Sequence, residues 1–313
     1  MSTTRDLPRA RGLDDEGAVA EAARRLARTA LAEDLLPGGD PTSAAIPAGH
    51  EASGVIAARS GGVVSGLEVV PAVLAAAAEG PVAGLLPGAG RLSWSPAAAN
   101  GDELAAGAAV GTLSGPTAAL LSVERTVLNA LTHLSGVASF TRSWVARAAD
   151  AAHKAGVARP AIRDSRKTLP GLRLLEKRAV AHGGGSPHRF NLSDQAMVKD
   201  NHVAGAGGVV EALIRVRAAH PGLWCEVEVD SLGQLEEILG HEPDQVLLDN
   251  FSPDEVARAV ALRDEKAPRV PLEASGGIAL ETLAGFAATG VDSIAAGALT
   301  HSAPALDLGL DLG

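Results

Sequence analysis

Between Arg159 and Lys199 the chain carries nine Lys/Arg (159, 163, 166, 167, 173, 177, 178, 189 and 199) against three acids (164, 176 and 194), a balance of +6 within a chain of formal net charge −10. Arg173, Lys177 and Arg178 lie on helical spacing and read as a solvated helix face. Arg166-Lys167, His188-Arg189 and Lys199 fall at or just after the ends of strand-like runs, and there they read as an anion pocket. An Arg fork binds a planar carboxylate bidentately and Lys adds a point charge.

The opposite sign follows in Trp224-Cys225-Glu226-Val227-Glu228-Val229-Asp230. Period-two alternation puts Glu226, Glu228 and Asp230 on one face of a strand, where charges among apolar neighbours are costly unless they have a task. Asp249 follows Leu247-Leu248 at the next strand end. Glu and Asp at neighbouring strand ends are hard oxygen ligands of the kind that hold Mg²⁺ beside a phosphate; they could equally be partners for the basic residues, and both can hold. Two glycine features could bind phosphate. Glu273-Ala274-Ser275-Gly276-Gly277-Ile278 runs from a strand into a helix, so backbone N–H groups would face an anion, and Ala296-Gly297-Ala298-Leu299-Thr300-His301 repeats the arrangement one unit later. His182-Gly183-Gly184-Gly185 reads as a helix stop. Cys225 reads as a buried packing residue. His50, His133, His153, His182, His220 and His241 lack metal-ligand spacing and read as surface or capping residues.

Elements that could position these groups are visible in the periodicity. Six short apolar runs each end in polar residues: Ala161 to Asp164, Ala196 to Lys199, Trp224 to Val229, Gln245 to Leu248, Val270 to Ala274 and Ser293 to Ala296. Helical patterns separate most of them (Leu172 to Ala181, Ala206 to Ala219, Leu232 to Leu239, Pro253 to Leu262, Leu280 to Thr289). Repeated βα units build a parallel sheet that can close into a barrel, with ligands at the carboxyl ends of its strands. Upstream, a helix from Ala18 to Leu35 stops at Pro37-Gly38-Gly39. Short strands (Gly54 to Ala58, Gly62 to Ser65, Arg91 to Trp94, Ala109 to Leu113) around a helix from Leu67 to Glu79 then suggest a small α+β domain. A long helix from about Leu120 to Ala152, interrupted near Ser135-Gly136, joins the two halves.

Composition narrows the classes. With 313 residues, 46% of them hydrophobic, the chain can bury a large core, and a single cysteine excludes a disulfide framework. The charge of −10 opposes nucleic acid and anionic membranes, and four Phe, three Trp and no Tyr leave little for base stacking. The charged N-terminus has no apolar core of a signal peptide, and the longest apolar stretch, Val69 to Ala78, is too short to span a bilayer. A cytoplasmic protein is expected.

The stretches EDLLPGGDPTSAAIP, ERTVLNALTHLSGVAS, DSRKTLPGLRLLEKRAVAHGGGSPHRFNLSDQAMVKDNHV, EVEVDSLGQLEEIL, LLDNFSPDEV and LEASGGIALETLAGFAATGVDSIAAGALTHSAPALDLGLDL closely resemble nicotinate-nucleotide pyrophosphorylase (carboxylating), the quinolinate phosphoribosyltransferase family. The match runs in order from about residue 30 to the C-terminus. The resemblance implies an N-terminal open-faced α/β sandwich followed by an incomplete, TIM-like α/β barrel. On that basis 1–17 is a flexible lead, 18–124 joined by 303–313 is the sandwich, and 125–302 is the catalytic barrel. It implies transfer of phosphoribose from phosphoribosyl pyrophosphate to quinolinate, with loss of pyrophosphate and CO₂, giving nicotinate mononucleotide for NAD synthesis.

By motif, Arg166, Lys167, His188, Arg189 and Lys199 are implied as quinolinate ligands, with Arg125 of ERTVLN reaching in from the partner of a homodimer or a higher oligomer. Lys167, Glu228, Asp249, Ser275, Gly276, Gly277, Gly297 and His301 are implied as contacts to phosphoribosyl pyrophosphate. Lys167, Glu228 and Asp249 would act electrostatically, and the two acids would hold Mg²⁺ directly or indirectly. Pro187 stands where the family has Asn, Arg178 stands where it has an aromatic residue, and 148–160 is longer than usual. Two rival readings are a paralogue for another aromatic carboxylate, expected to alter Arg166, Arg189 or Lys199, and a non-catalytic pyridine-nucleotide sensor, expected to lose Glu228 or Asp249. All five residues are present.

Overall fold

The computed structural model describes residues 7, 8 and 12–313, which form two compact units. The first comprises residues 12–142, 168–184 and 302–313, and the second centres on 143–167 and 185–301. Most of the expected flexible lead, 1–17, lies outside the described residues. Its last part is ordered, because Asp15 accepts a hydrogen bond from the Ala18 amide at 3.0 Å and so caps a helix two residues earlier than expected.

In the first unit, helix α1 (Glu16–Leu35) buries Val19, Ala22, Ala23, Ala27 and Leu31, the apolar stripe of an amphipathic helix. There follow β1 (Glu51–Ala58), β2 (Gly62–Val63), α2 (Val69–Ala78), β3 (Ser93–Pro96), β4 (Glu103–Leu104), β5 (Ala109–Pro116) and α3 (Thr117–Ala155). Strand β1 lies between β5 and the C-terminal strand Leu308–Leu312, antiparallel to both, and β3 completes a four-stranded sheet. The expected break in the long helix is absent. Gly136 sits there because a Cβ would come within 2.3 Å of the Pro304 carbonyl oxygen, so it serves a close approach and does not interrupt the helix.

The second unit holds β6 (Ala161–Arg163), and then, after α4 (Arg173–His182) of the first unit, β7 (Ala196–Val198), α5 (Asp200–Ala206), α6 (Val209–Ala219) and β8 (Cys225–Val229). It continues through α7 (Leu232–Leu239), β9 (Gln245–Asp249), α8 (Pro253–Lys266), β10 (Leu272–Ser275), α9 (Leu283–Ala287), β11 (Ser293–Ala295) and α10 (Ala298–His301), before the C-terminal strand, now β12. Six parallel strands run in the order β6-β11-β10-β9-β8-β7. Chain order thus circles the sheet, which stays open between β6 and β7. One face is aliphatic and buried (Ile162, Val198, Val227, Val246, Leu248, Leu272, Ile294). The other carries Arg163, Met197, Glu226, Glu228, Gln245, Leu247, Asp249, Glu273, Ser275, Ser293 and Ala295, as the register and the strand alternation require.

Domain assignment by sequence put one boundary at 124/125, whereas the units divide within α3 at 142/143. The physical reason is that α3 runs on unbroken and that α4 is tied to the first unit. Glu176 binds His133 Nε2 at 2.8 Å, and Arg178 donates to the Leu13 carbonyl at 2.7 Å and to Glu16 at 3.1 Å. Lys177 is fully buried, so it and Arg178 do not form the solvated face that their spacing suggested. His133 and His182 likewise leave the surface class, His182 through a 2.8 Å contact of Nδ1 with Ser65 Oγ. Among the described residues no helix is long and apolar enough to cross a membrane.

Candidate active site

A cavity of about 350 Å³ opens on the second unit, lined by residues at the carboxyl ends of its strands. Ten of the thirteen expected site residues line it: Arg166, Lys167, His188, Arg189, Lys199, Glu228, Asp249, Ser275, Gly276 and Gly297. Gly277 is exposed at its edge of the loop, and His301 Nε2 lies 3.1 Å from where a Cβ on Gly297 would sit. Arg125 belongs to the first unit, exposed on α3, and is not in this lining. Of the three carboxylates expected on one face of β8, Glu226 and Glu228 are inside, while Asp230 lies beyond the strand end and is exposed.

Four cations from three segments converge. Arg166 and Lys167 follow β6, Arg189 lies in the loop before β7, and Lys199 follows β7. The Nε of Arg166 is buried and has no hydrogen-bond partner among the described residues. Arg189 is buried and held at both ends: its amide donates to His188 Nδ1 at 2.7 Å and its Nη1 to the Gln195 carbonyl at 3.1 Å. Burial and the neighbouring Arg166 charge lower the Arg189 pKa. Cations crowded in this way favour an anion that replaces lost solvation. The Lys167 carbonyl accepts from Thr300 Oγ1 at 2.9 Å, which ties the basic segment to α10.

Glu228 and Asp249 line the same cavity. Glu228 Oε2 takes Lys199 Nζ at 3.0 Å. Burial first, and the Glu228 carboxylate second, raise the pKa of Asp249. Together Glu228 and Asp249 offer an oxygen donor set of the kind that suits a hard divalent cation. The glycine loop after β10 is shaped by its backbone. Gly276 has φ +94, and a Cβ there would lie 2.3 Å from Asn250 Oδ1 and 2.7 Å from the Asn250 amide nitrogen. Only glycine fits this turn.

Sequence reasoning missed the floor. Arg163 Nη1 pairs with Glu273 Oε2 at 3.0 Å, both side chains fully buried, and Ser293 Oγ donates to the same oxygen at 2.8 Å. His188 Nε2 lies 3.0 Å from Glu226 Oε2 and 3.1 Å from Glu273 Oε1. Burial disfavours charge on the ring, but the Glu273 and Glu226 carboxylates outweigh it and raise the affinity of His188 for a proton. These three side chains bring ligand-type atoms within 4.8 Å of one another; Arg163 and Ser293 take Glu273 Oε2, while His188 Nε2, both Glu226 oxygens and Glu273 Oε1 face one another without a formed hydrogen bond among the described residues. The available signal was period-two spacing, Glu226 with Glu228 and Glu273 with Ser275. Ser165, Met197, Leu247 and Ala295 also line the cavity unforeseen. Cys225 is buried with its thiol pKa pushed up to about 11, chiefly by burial, which makes it inert.

Two family models cover most of the chain: quinolinate phosphoribosyl transferase, N-terminal domain, over residues 40–135, and its C-terminal domain over residues 137–311. A nicotinate-nucleotide pyrophosphorylase [carboxylating] of Mycobacterium leprae is 47% identical over 293 residues, covering 93% of this chain and 98% of that protein. The Homo sapiens protein of the same name is 42% identical over 213 residues, covering 68% of this chain and 70% of its own. The solved nicotinate-nucleotide pyrophosphorylase from Francisella tularensis superposes with a TM-score of 0.82 at 29% identity, over the full length of both chains. The counterpart from Ehrlichia chaffeensis gives 0.80 at 32% identity, over 92% of this chain and 98% of that one. With both family models matched in order and the cavity residues in place at the strand ends, the chain belongs to the quinolinate phosphoribosyltransferase family.

Proposed function

We propose that the chain transfers the phosphoribosyl group of phosphoribosyl pyrophosphate to the ring nitrogen of quinolinate, releasing pyrophosphate and CO₂ and forming nicotinate mononucleotide. The observation that carries this is one cavity lined by four cations, Arg166, Lys167, Arg189 and Lys199, together with two acids, Glu228 and Asp249. Quinolinate has two adjacent carboxylates, and a multi-cation pocket is what such a dianion requires. Arg166, Arg189 and Lys199 bind and orient it, while Lys167 reaches both carboxylate and pyrophosphate. Ser275, Gly276, Gly277, Gly297 and His301 hold phosphate oxygens.

When pyrophosphate leaves, ribose C1 becomes positively charged and the ring nitrogen takes up the bond. Glu228 and Asp249, fixed at the ends of β8 and β9, stabilise that charge electrostatically. The resulting pyridinium then loses its 2-carboxylate as CO₂, the electrons remaining on the carbon beside the positive nitrogen until a proton replaces the carboxylate. No nucleophilic side chain is needed. Glu228 and Asp249 would also hold Mg²⁺, whose chemistry is to screen the pyrophosphate and ease its departure.

The functional unit in this reading is a cytoplasmic homodimer, with Arg125 completing the neighbouring subunit's site across a two-fold axis. The experiment is turnover with quinolinate and, separately, nicotinate, each with phosphoribosyl pyrophosphate and Mg²⁺, with nicotinate mononucleotide measured. Strong preference for quinolinate is expected, because nicotinate leaves part of the cation set unpaired. Comparable turnover of nicotinate overturns the assignment, and binding of quinolinate without turnover points to a sensor.

A further inference from the structure

The family resemblance makes His188 a quinolinate ligand, yet Nδ1 is taken by a backbone amide and Nε2 is buried against two carboxylates. Nδ1 accepts the Arg189 amide at 2.7 Å. While Nδ1 accepts that amide the ring's single proton sits on Nε2, which faces Glu226 and Glu273 at 3.0 and 3.1 Å; those carboxylates raise the ring's affinity for a second proton, which would displace the amide. The His188 backbone is held as well, since its amide donates to Asp164 Oδ1 at 2.7 Å, and Glu273 is anchored by Arg163 and Ser293. His188 is 4% exposed and Arg189 6%.

We propose that His188 is a positioning residue: clamped by Glu226 and Glu273 through Nε2, it fixes the backbone of Arg189 through Nδ1 and thereby aims the guanidinium that binds the substrate carboxylate. The chain around Arg189 is otherwise loop, without a helix or strand ladder to fix it, and a loop amide with a buried ring acceptor loses the freedom that would blunt a bidentate contact. Glu226 also favours the charged form of Arg189, against burial and the neighbouring Arg166 charge. The inference rests on the reading that quinolinate is the substrate.

The test is calorimetric titration of quinolinate into the full-length wild type and its His188→Asn, His188→Gln and His188→Ala variants. An Asn amide oxygen falls near the position of Nδ1 and can accept the Arg189 amide, whereas the Gln amide reaches toward that of Nε2. Positioning predicts that His188→Asn binds within about threefold of wild type and that His188→Gln and His188→Ala lose tenfold or more. A direct contact through Nε2 predicts the reverse order for Asn and Gln, and that result overturns the proposal.

The second arm places His188→Asn and His188→Gln in an Arg189→Lys background, which also decides the matter if His188→Ala does not fold. If His188 acts through Arg189, the Asn-to-Gln difference shrinks to less than twofold there; an undiminished difference overturns the proposal. Calorimetry separates Kd from the fraction of competent protein, so a merely structural role would lower the stoichiometry and leave Kd unchanged, and that pattern too overturns it. Failure of the wild type to bind quinolinate would instead overturn the substrate reading itself.

Discussion

Gly297→Ala should disable the enzyme without unfolding it. Gly297 stands between β11 and α10, outside the left-handed region of backbone space, so alanine adopts its conformation without strain. Its Cβ, however, would lie 2.9 Å from Lys167 Cδ, 3.1 Å from His301 Nε2 and 3.2 Å from Ser165 Oγ. Carbon atoms in contact rest about 3.5–4.0 Å apart, so Lys167 Cδ must retreat by roughly 0.6–1.1 Å. The backbone cannot take up the shift easily, because the Lys167 carbonyl is bonded to Thr300 Oγ1 at 2.9 Å. The side chain swings instead and carries Nζ with it. A misplacement of about 1 Å in a positioning group costs on the order of 100-fold in rate, or about 2.7 kcal/mol at 1.36 kcal/mol per tenfold. Flexible Lys methylenes yield cheaply, so stability should fall by less than about 1 kcal/mol, a shift in Tm of no more than roughly 2–4 °C for a domain of this size. Initial rates against quinolinate at saturating phosphoribosyl pyrophosphate, with Tm measured on the same samples, give both quantities, and Lys167→Ala sets the lower limit. A Gly297→Ala enzyme within threefold of wild-type kcat/KM would refute the reasoning, and parallel loss of activity and Tm would assign the effect to folding.

Glu273 couples the floor to acid stability. Burial alone would raise its pKa, but Arg163 and His188 outweigh burial and bring it from 4.5 to about 2. A carboxylate with a depressed folded pKa stabilises the fold above its unfolded value and loses that contribution as pH falls through 4.5 towards 2; Glu273→Gln should therefore be less stable at pH 7 by urea denaturation, with a flatter decline below pH 4.5, and parallel curves would contradict this. Excess EDTA should abolish turnover, since Glu228 and Asp249 alone cannot screen pyrophosphate; unchanged rates would remove the metal from the scheme. Arg125→Ala and Lys167→Ala, each inactive, should on joint unfolding and refolding recover about a quarter of wild-type activity. Half the dimers are then heterodimers with one intact site of two, and no recovery in a mixture shown by mass spectrometry to contain heterodimers would place Arg125 outside the partner's site.

What could be read without coordinates was what depends on local repetition. Strand ends at Leu248 and Ala274, the helix beginning at Pro253 and the glycine pair after Ser275 follow from period and turn chemistry, which act over a few residues; the structure carries that helix from the expected Leu262 on to Lys266. Charge sign along the chain located the basic segment and the opposing acids for the same reason. Tertiary structure alone decided which charges are buried. Lys177 and Arg178 have the spacing of a surface face, yet Lys177 is buried outright and Arg178 is tied to Glu16 across more than 160 residues of chain. Alternation alone puts Glu226 on one strand face with Glu228, but the cluster of Arg163, Glu226 and Glu273 across β6, β8 and β10 exists only once the parallel sheet sets its register. A buried charge is tolerable only beside its partner, and partners far apart in sequence meet only in the folded sheet.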